Sequence, residues 1–247
     1  MNSKIILVIG DQRSGKTFFT EQLLRSIVGN TNKIGLVYNK GVKKDFGEGF
    51  TLIDFCENPQ NGHIEKFTLF NDDREVNISF LREAKESLFC SYRMSNTIEQ
   101  DKLFRSFLYF LGGFVFVIDD SIYLFRQGVQ SGFLEMLTRM NHCGIKSSDG
   151  YEGSDIILIF HHPDHVPTKI WDACTDIFFF YTKRGREEKT SNKEIDRIID
   201  EAQKDLSEIA IKRKLTPENI YTAGFFEIDL YNLKKVYRNS EFYKSFS

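Results

Sequence analysis

Ile5-Ile6-Leu7-Val8-Ile9-Gly10-Asp11-Gln12-Arg13-Ser14-Gly15-Lys16-Thr17 decides how the rest of the chain is read. Its first five residues are aliphatic and mostly β-branched with no polar alternation, the pattern of a strand covered on both faces in a parallel sheet. Phe19, Leu23, Leu24, Ile27 and Val28 then recur at helical spacing up to Gly29-Asn30, a stop signal. Between strand and helix, Gly10 to Thr17 fits G-x-x-x-x-G-K-[ST], in the context that gives this pattern its meaning. The glycines let backbone N–H groups wrap a phosphate chain, and the helix N-terminus adds a favourable dipole. In that frame Gly10, Asp11, Gln12, Arg13, Ser14, Gly15, Lys16, Thr17 and Phe18 form a nucleotide cradle. Lys16 reaches the β and γ phosphates and Thr17 sets its hydroxyl on Mg²⁺.

Outward from this stretch, the same grammar repeats. Ile34–Tyr38, Phe114–Ile118, Ile156–Phe160 and Ile177–Tyr181 read as short buried strands. Helical patterns lie between them at Leu103–Leu111, Val129–Met140 and Val166–Ala173. Alternating strands and helices predict an α/β fold with a doubly wound, mainly parallel sheet of at least five strands. Residues 41–96 carry Gly41, Gly47, Gly49, Asn58-Pro59 and Asn61-Gly62 around two weak strands, Thr51–Phe55 and Lys66–Phe70, and are a candidate insertion. Residues 190–247 read as a C-terminal extension. Ile195, Ile198, Ile199, Ala202, Leu206 and Ile209 line one helix face, and Phe226–Leu230 with Lys234–Arg238 predicts a hairpin. The whole of 1–247 is expected to be a single domain.

Thirty-three basic against thirty-five acidic side chains leave a net charge of −2, so any attraction to nucleic acid must be local. Four cysteines with no Cys-x-x-Cys pair indicate neither a zinc knuckle nor a disulfide framework, but isolated thiols in a cytosol. The apolar start is too short for a signal peptide. The longest apolar run, Phe107 to Ile118, is broken by Gly112-Gly113 and falls short of the ~20 residues of a membrane span.

A phosphate loop needs a second carboxylate on the magnesium side, and Phe114–Ile118 delivers Asp119-Asp120 at its C-terminal edge. Asp119 is the candidate metal ligand. Asp120 takes the place of the acid that orients and deprotonates an attacking water, or alternatively turns the chain. His161-His162-Pro163-Asp164-His165 follows another buried strand, which makes His161 a candidate γ-phosphate sensor; a polar turn and a metal site are the competing readings. Arg139, then Arg126, are candidates for an arginine that stabilises the transferring phosphoryl group of a neighbouring copy; each also reads as an ordinary exposed arginine.

With these residues in place, Leu137-Thr138-Arg139-Met140-Asn141-His142-Cys143-Gly144-Ile145 through Ser154–His161, and then Val166–Trp171 before the next strand, give the chain a resemblance to the FtsK/HerA superfamily of ring-forming DNA-pumping ATPases. It is most similar there to small viral genome-packaging ATPases and Zot-like phage ATPases. The likeness covers roughly residues 4–183, with Asp120 standing where the family usually has glutamate and His161 where it has glutamine. It implies a P-loop NTPase fold of the additional-strand, RecA-like type, with ATP and Mg²⁺ as cofactors. It also implies an ATP-hydrolysing motor that moves double-stranded DNA as a homo-oligomeric ring, a hexamer or pentamer, in viral or phage genome packaging. The partners would be DNA, further copies of the chain and a capsid or portal-vertex protein; the place would be the host cytoplasm or the virion.

Lys40, Lys43, Lys44, Arg82 and Arg93 are candidate pore cations, each equally readable as a solvated residue. The alternative function is a small-molecule or nucleotide kinase whose lid would carry Arg184 and Arg186. Asn39-Lys40-Gly41-Val42 lacks the final acid of a guanine-reading motif, which ranks a GTP-binding switch last.

Overall fold

Strand β1 (Ile5–Ile9) is buried along its whole length because it has a strand on each side and a layer of side chains on each face. The structure, a computed structural model, describes residues 3–39, 49–56, 65–68, 79–83, 87–92, 112–125, 153–185, 187, 189–239 and 242. Helix α1 (Lys16–Asn30) follows β1, then β2 (Ile34–Asn39), β3 (Thr51–Cys56), β4 (Glu65–Thr68), α2 (Ser79–Glu83), β5 (Leu88–Tyr92), β6 (Phe114–Ile118) and α3 (Ile122–Phe125). The chain continues through β7 (Asp155–Phe160), a 3-10 turn at Pro163–His165, α4 (Thr168–Ala173), β8 (Asp176–Phe180) and α5 (Lys193–Lys212). A 3-10 turn at Ile220–Ala223 leads into the hairpin of β9 (Phe225–Asp229) and β10 (Lys234–Arg238).

Among the described residues these strands form one sheet in the order β10-β9-β8-β1-β7-β6-β2-β5-β3-β4. All neighbours from β8 to β4 pair in parallel; β9 and β10 are antiparallel. The P-loop strand β1 and the Asp119 strand β6 are separated by β7, which is the additional-strand arrangement. Alternate residues of β1 serve opposite faces. Ile5, Leu7 and Ile9 join a core with Leu158, Trp171, Ile198, Ile199 and Leu206, whereas Ile6 and Val8 join Phe19, Leu24, Val117 and Phe180. The sheet is therefore doubly wound, with α1 on one face and α5 on the other.

Each helix is built for its face. In α1 the Phe19 ring lies 4.6 Å from Phe178 and 4.8 Å from Phe225, centroid to centroid, so the first turn is held against β8 and β9. Helix α5 starts at Asn192, whose side chain accepts from the Glu194 N–H (2.9 Å), and carries Glu194 and Asp196 in its first turn and Lys212 in its last.

The hairpin and strands β3 and β4 lie where the sequence predicts them, within a few residues. Strand β5 was not anticipated. Leu88-Phe89-Cys90-Ser91-Tyr92 is a short run without turn residues around it, and only pairing between β2 and β3 identifies it as a strand. The helix expected over Val166–Ala173 is α4, two residues shorter at its start because Pro167 is extended (ψ 144°) and caps it. The expected helices at Leu103–Leu111 and Val129–Met140 lie outside the described residues.

The N-terminal ends of the strands are tied structurally. Lys33 Nζ and Asp155 Oδ2 pair at 2.5 Å, both largely buried, and Asp155 Oδ1 accepts from the Lys4 N–H. Arg82 donates to the Gly112 carbonyl (2.9 Å) and stands over the Phe114 ring, at the end of β6 opposite Asp119. Of the candidate pore cations it is thus engaged in packing, while Lys40, Lys43, Lys44 and Arg93 lie outside the described residues.

Candidate nucleotide site

Four adjacent strands, β8, β1, β7 and β6, end at the same edge of the sheet, and their next residues are the candidate site. Backbone hydrogen bonds lock these exits together. Gly10 N–H donates to the Phe160 carbonyl (3.3 Å), Asp11 N–H to Tyr181 (2.9 Å), Ser121 N–H to Ile159 (2.9 Å) and Asp119 N–H to Tyr38 (3.0 Å). The P-loop, the histidine tract, the Asp119-Asp120 pair and the 181–185 segment therefore share one rim, where α/β sheets bind ligands.

Gly10 has no room for a side chain. A Cβ there would stand 2.5 Å from Phe180 Cβ and 2.8 Å from Ser14 Oγ, so the loop lies directly on β8. Gly15, at φ 94°, supplies the left-handed turn into α1. Lys16 folds back across the loop, its Nζ donating to the carbonyls of Gly10 (2.6 Å) and Asp11 (2.7 Å). Only 4% of it is exposed, and burial lowers its pKa from 10.5 to about 8 against the opposing fields of Asp11 and Asp119. Ser14 Oγ is buried without a hydrogen-bond partner. A desolvated cation and an unsatisfied hydroxyl inside a glycine-cornered loop fit a phosphate group.

At the end of β6, the Asp119 carboxylate accepts the Asp120 N–H (3.0 Å), which holds it at the strand terminus. Asp120 has a positive φ of 50°, a conformation Asp tolerates and one that sets it out of line with the strand. Ser121 Oγ donates to the Ile118 carbonyl (2.8 Å), closing this turn. Both aspartates are half-buried. His161 leaves β7 between the two carboxylates and the P-loop. Its Nδ1 is buried and unpartnered, and burial, then Lys16, push its pKa below the usual imidazole value, with Asp120 opposing. It is a neutral imidazole near pH 7. His162 Nδ1 accepts the Asp164 N–H at 3.3 Å and caps the 3-10 turn, so this neighbour is a turn residue. Among the described residues, no group of three His, Cys, Asp or Glu could hold a metal ion on its own.

The rim opens into a cavity of about 650 Å³ that sequence reasoning missed. It runs from Asp11, Gln12 and Arg13 past the histidines to Lys183 and Arg184, and ends on Leu215, Thr216, Pro217 and Ile220. Those last residues belong to no motif, and only the return of the chain after α5 brings them to the P-loop. Lys16, Asp119, Asp120 and His161 are brought to one rim; Arg126 and Arg139 lie outside the described residues.

No protein-family model matches the chain, and neither does any curated protein sequence. Solved structures do. The genome packaging NTPase B204 from Sulfolobus turreted icosahedral virus 2 in complex with AMPPCP is similar over 96% of this chain and 97% of that one, with a TM-score of 0.59 and 13% identity. The same NTPase in complex with AMP is similar over 97% and 100%, with a TM-score of 0.55 and 14% identity. B204 of Sulfolobus turreted icosahedral virus, a DNA-packaging ATPase, is similar over 97% and 98%, at 0.55 and 15%. At such identities the likeness establishes the fold, an α/β P-loop NTPase architecture shared with viral packaging ATPases over nearly the whole chain. Among the described residues no helix is long and apolar enough to cross a membrane.

Proposed function

We propose that this chain is an ATP-hydrolysing viral genome-packaging motor that moves double-stranded DNA as a homo-oligomeric ring. The observation that carries this reading is the convergence of Lys16, Asp119-Asp120 and His161 on one sheet edge, on the fold of packaging NTPases known in complex with nucleotides. The whole of 1–247 acts as one ATPase domain, with 41–96 as an insertion and 190–247 as an extension.

In this reading the P-loop amides and Lys16 bind the triphosphate, and Thr17 and Asp119 would hold Mg²⁺, which would supply neutralising positive charge to the phosphates. Asp120 orients a water and accepts its proton as the oxygen attacks the γ phosphorus, and ADP leaves as the β–γ bond breaks. His161, a neutral imidazole, offers an N–H to the γ-phosphate and reports its presence. Arg139, or Arg126, from a neighbouring copy offsets charge on the transferring group. DNA lies along the ring axis, where a few repeated cations concentrate charge that the net −2 conceals. The packaged genome's capsid or portal vertex is the assembly partner, in the host cytoplasm or on the virion. The kinase alternative is disfavoured at Arg184, the part of its lid that is described; Arg186 lies outside the described residues. The Arg184 carbonyl accepts from Gln203 Nε2 (2.6 Å) and Thr182 Oγ1 (3.1 Å), which pins the segment rather than freeing it to close.

The test is steady-state ATP hydrolysis with Mg²⁺, with and without long double-stranded DNA, at two salt concentrations, with Lys16→Ala as control. Stimulation by DNA that fades with salt, and a loss of about 10²–10³-fold in Lys16→Ala, are expected. Phosphoryl transfer only to an added small acceptor would replace the motor with the kinase.

A further inference from the structure

We infer that the base of the bound nucleotide lies in the cavity beyond Arg13, against Leu215, Pro217 and Ile220, and is held by its faces rather than read at its edges. The inference rests on the nucleotide reading of the P-loop and assigns the part of the ligand that the loop motif does not. At about 650 Å³, the cavity falls in the range of small-molecule sites and opens directly from Asp11–Arg13. Three cations line it, Arg13, Lys183 and Arg184, and none forms an ion pair with a described residue. Two carboxylates share the lining and are oriented by backbone N–H groups, Asp11 Oδ2 accepting from Lys183 (2.8 Å) and Asp164 Oδ1 from Glu187 (2.7 Å), so the cations outnumber the acids. The cavity thus presents positive charge beside the P-loop and an apolar wall at its far end, the two halves of a nucleotide.

The far wall has turned the backbone donors nearest Pro217 onto itself. Leu215 N–H donates to the Ala210 carbonyl (3.0 Å), Thr216 N–H to Asn219 Oδ1 (2.6 Å) and Asn219 N–H to the Thr216 carbonyl (3.1 Å); Pro217 has none. These N–H groups are therefore closed to the edge of a base. A site built on such donors rejects the wrong ligand by about 10⁴-fold or more, whereas an apolar pocket discriminates weakly. ATP and GTP should therefore bind alike.

The experiment is displacement of an N-methylanthraniloyl-ATP probe from the full chain by ATP, GTP and inorganic tripolyphosphate, which has the phosphates and no base. Leu215 is only half-buried, so Leu215→Ser tests the wall with little risk to the fold. It should weaken ATP and GTP about ten-fold and leave tripolyphosphate unchanged, and that unchanged affinity itself reports an intact P-loop. Lys183→Gln should weaken ATP and tripolyphosphate together. Wild-type affinities for ATP and GTP should agree within about ten-fold. The placement is overturned if Leu215→Ser spares ATP or weakens tripolyphosphate equally, if Phe18→Ala alone carries the base-dependent loss, or if wild-type discrimination exceeds that limit. Lys16→Ala separates the two levels. Tripolyphosphate binding that survives it sinks the nucleotide reading itself, whereas its loss together with a silent Leu215→Ser sinks only the cavity assignment.

Discussion

Lys16 combines burial with two carbonyl hydrogen bonds, and this sets a pH signature for the site. Its pKa of about 8 leaves it mostly charged at pH 7. Above pH 8 the free protein loses that proton, while a bound polyanion favours the charged form and must recover it. Affinity for tripolyphosphate without Mg²⁺ should fall as pH rises through 8, by up to about ten-fold per unit, with uptake of a proton on binding. Calorimetry in buffers of different ionisation heat reads that uptake; a flat profile between pH 7 and 9 would remove Lys16 from phosphate contact. At Asp120 the expectation concerns rate. Asp120→Asn should keep ATP bound and slow hydrolysis by about 10²–10⁴-fold in single-turnover assays, and rapid turnover by this variant would assign Asp120 to the turn alone. The P-loop, Asp119-Asp120 and His161 were all legible as residues, because each follows a run of apolar residues long enough to be a buried strand. Their proximity was not, since it depends on strand order.

At the scale of elements, α5 has a double role. Ile198, Ile199, Ala202 and Leu206 pack it on the sheet, and its C-terminal end delivers Leu215–Ile220 to the cavity. Leu206 is fully buried, and Leu206→Ala should cost about 2–5 kcal/mol of stability, read as a lower denaturation midpoint at constant slope. A variant at the wild-type midpoint would show that α5 does not anchor the extension. The amphipathic spacing of α5 announced its buried face. Nothing announced β5, whose five residues carry no periodicity that distinguishes a strand from a buried turn of helix. The short helix read over Val166–Ala173 is present, and only its start, at Thr168 after an extended Pro167, differs.

For the molecule as a whole, the proposal requires that hydrolysis belong to the assembled ring. Arg139→Ala should fold and bind ATP as a monomer, and lose hydrolysis by about 10³-fold or more under conditions where the wild-type chain assembles. Turnover equal to wild type in the assembled state would move the role to Arg126 or to another group. Sedimentation with bound nucleotide, run beside the rate measurement, separates a lost finger from a lost ring.

The sequence by itself determined the fold class, the glycine-cornered loop between β1 and α1 and the carboxylates that follow β6, because these depend on local pattern: apolar runs, glycines at sharp turns and charged residues at strand ends. Only the tertiary structure decided that β7 separates β1 from β6 and that His161 emerges between loop and carboxylates. It alone brought residues 215–220, some two hundred positions from Gly10, to form the far wall of the cavity. The reason is physical. Strand order and the return path of α5 are settled by which apolar faces can be covered together, a property of the packed chain that no short stretch of residues contains.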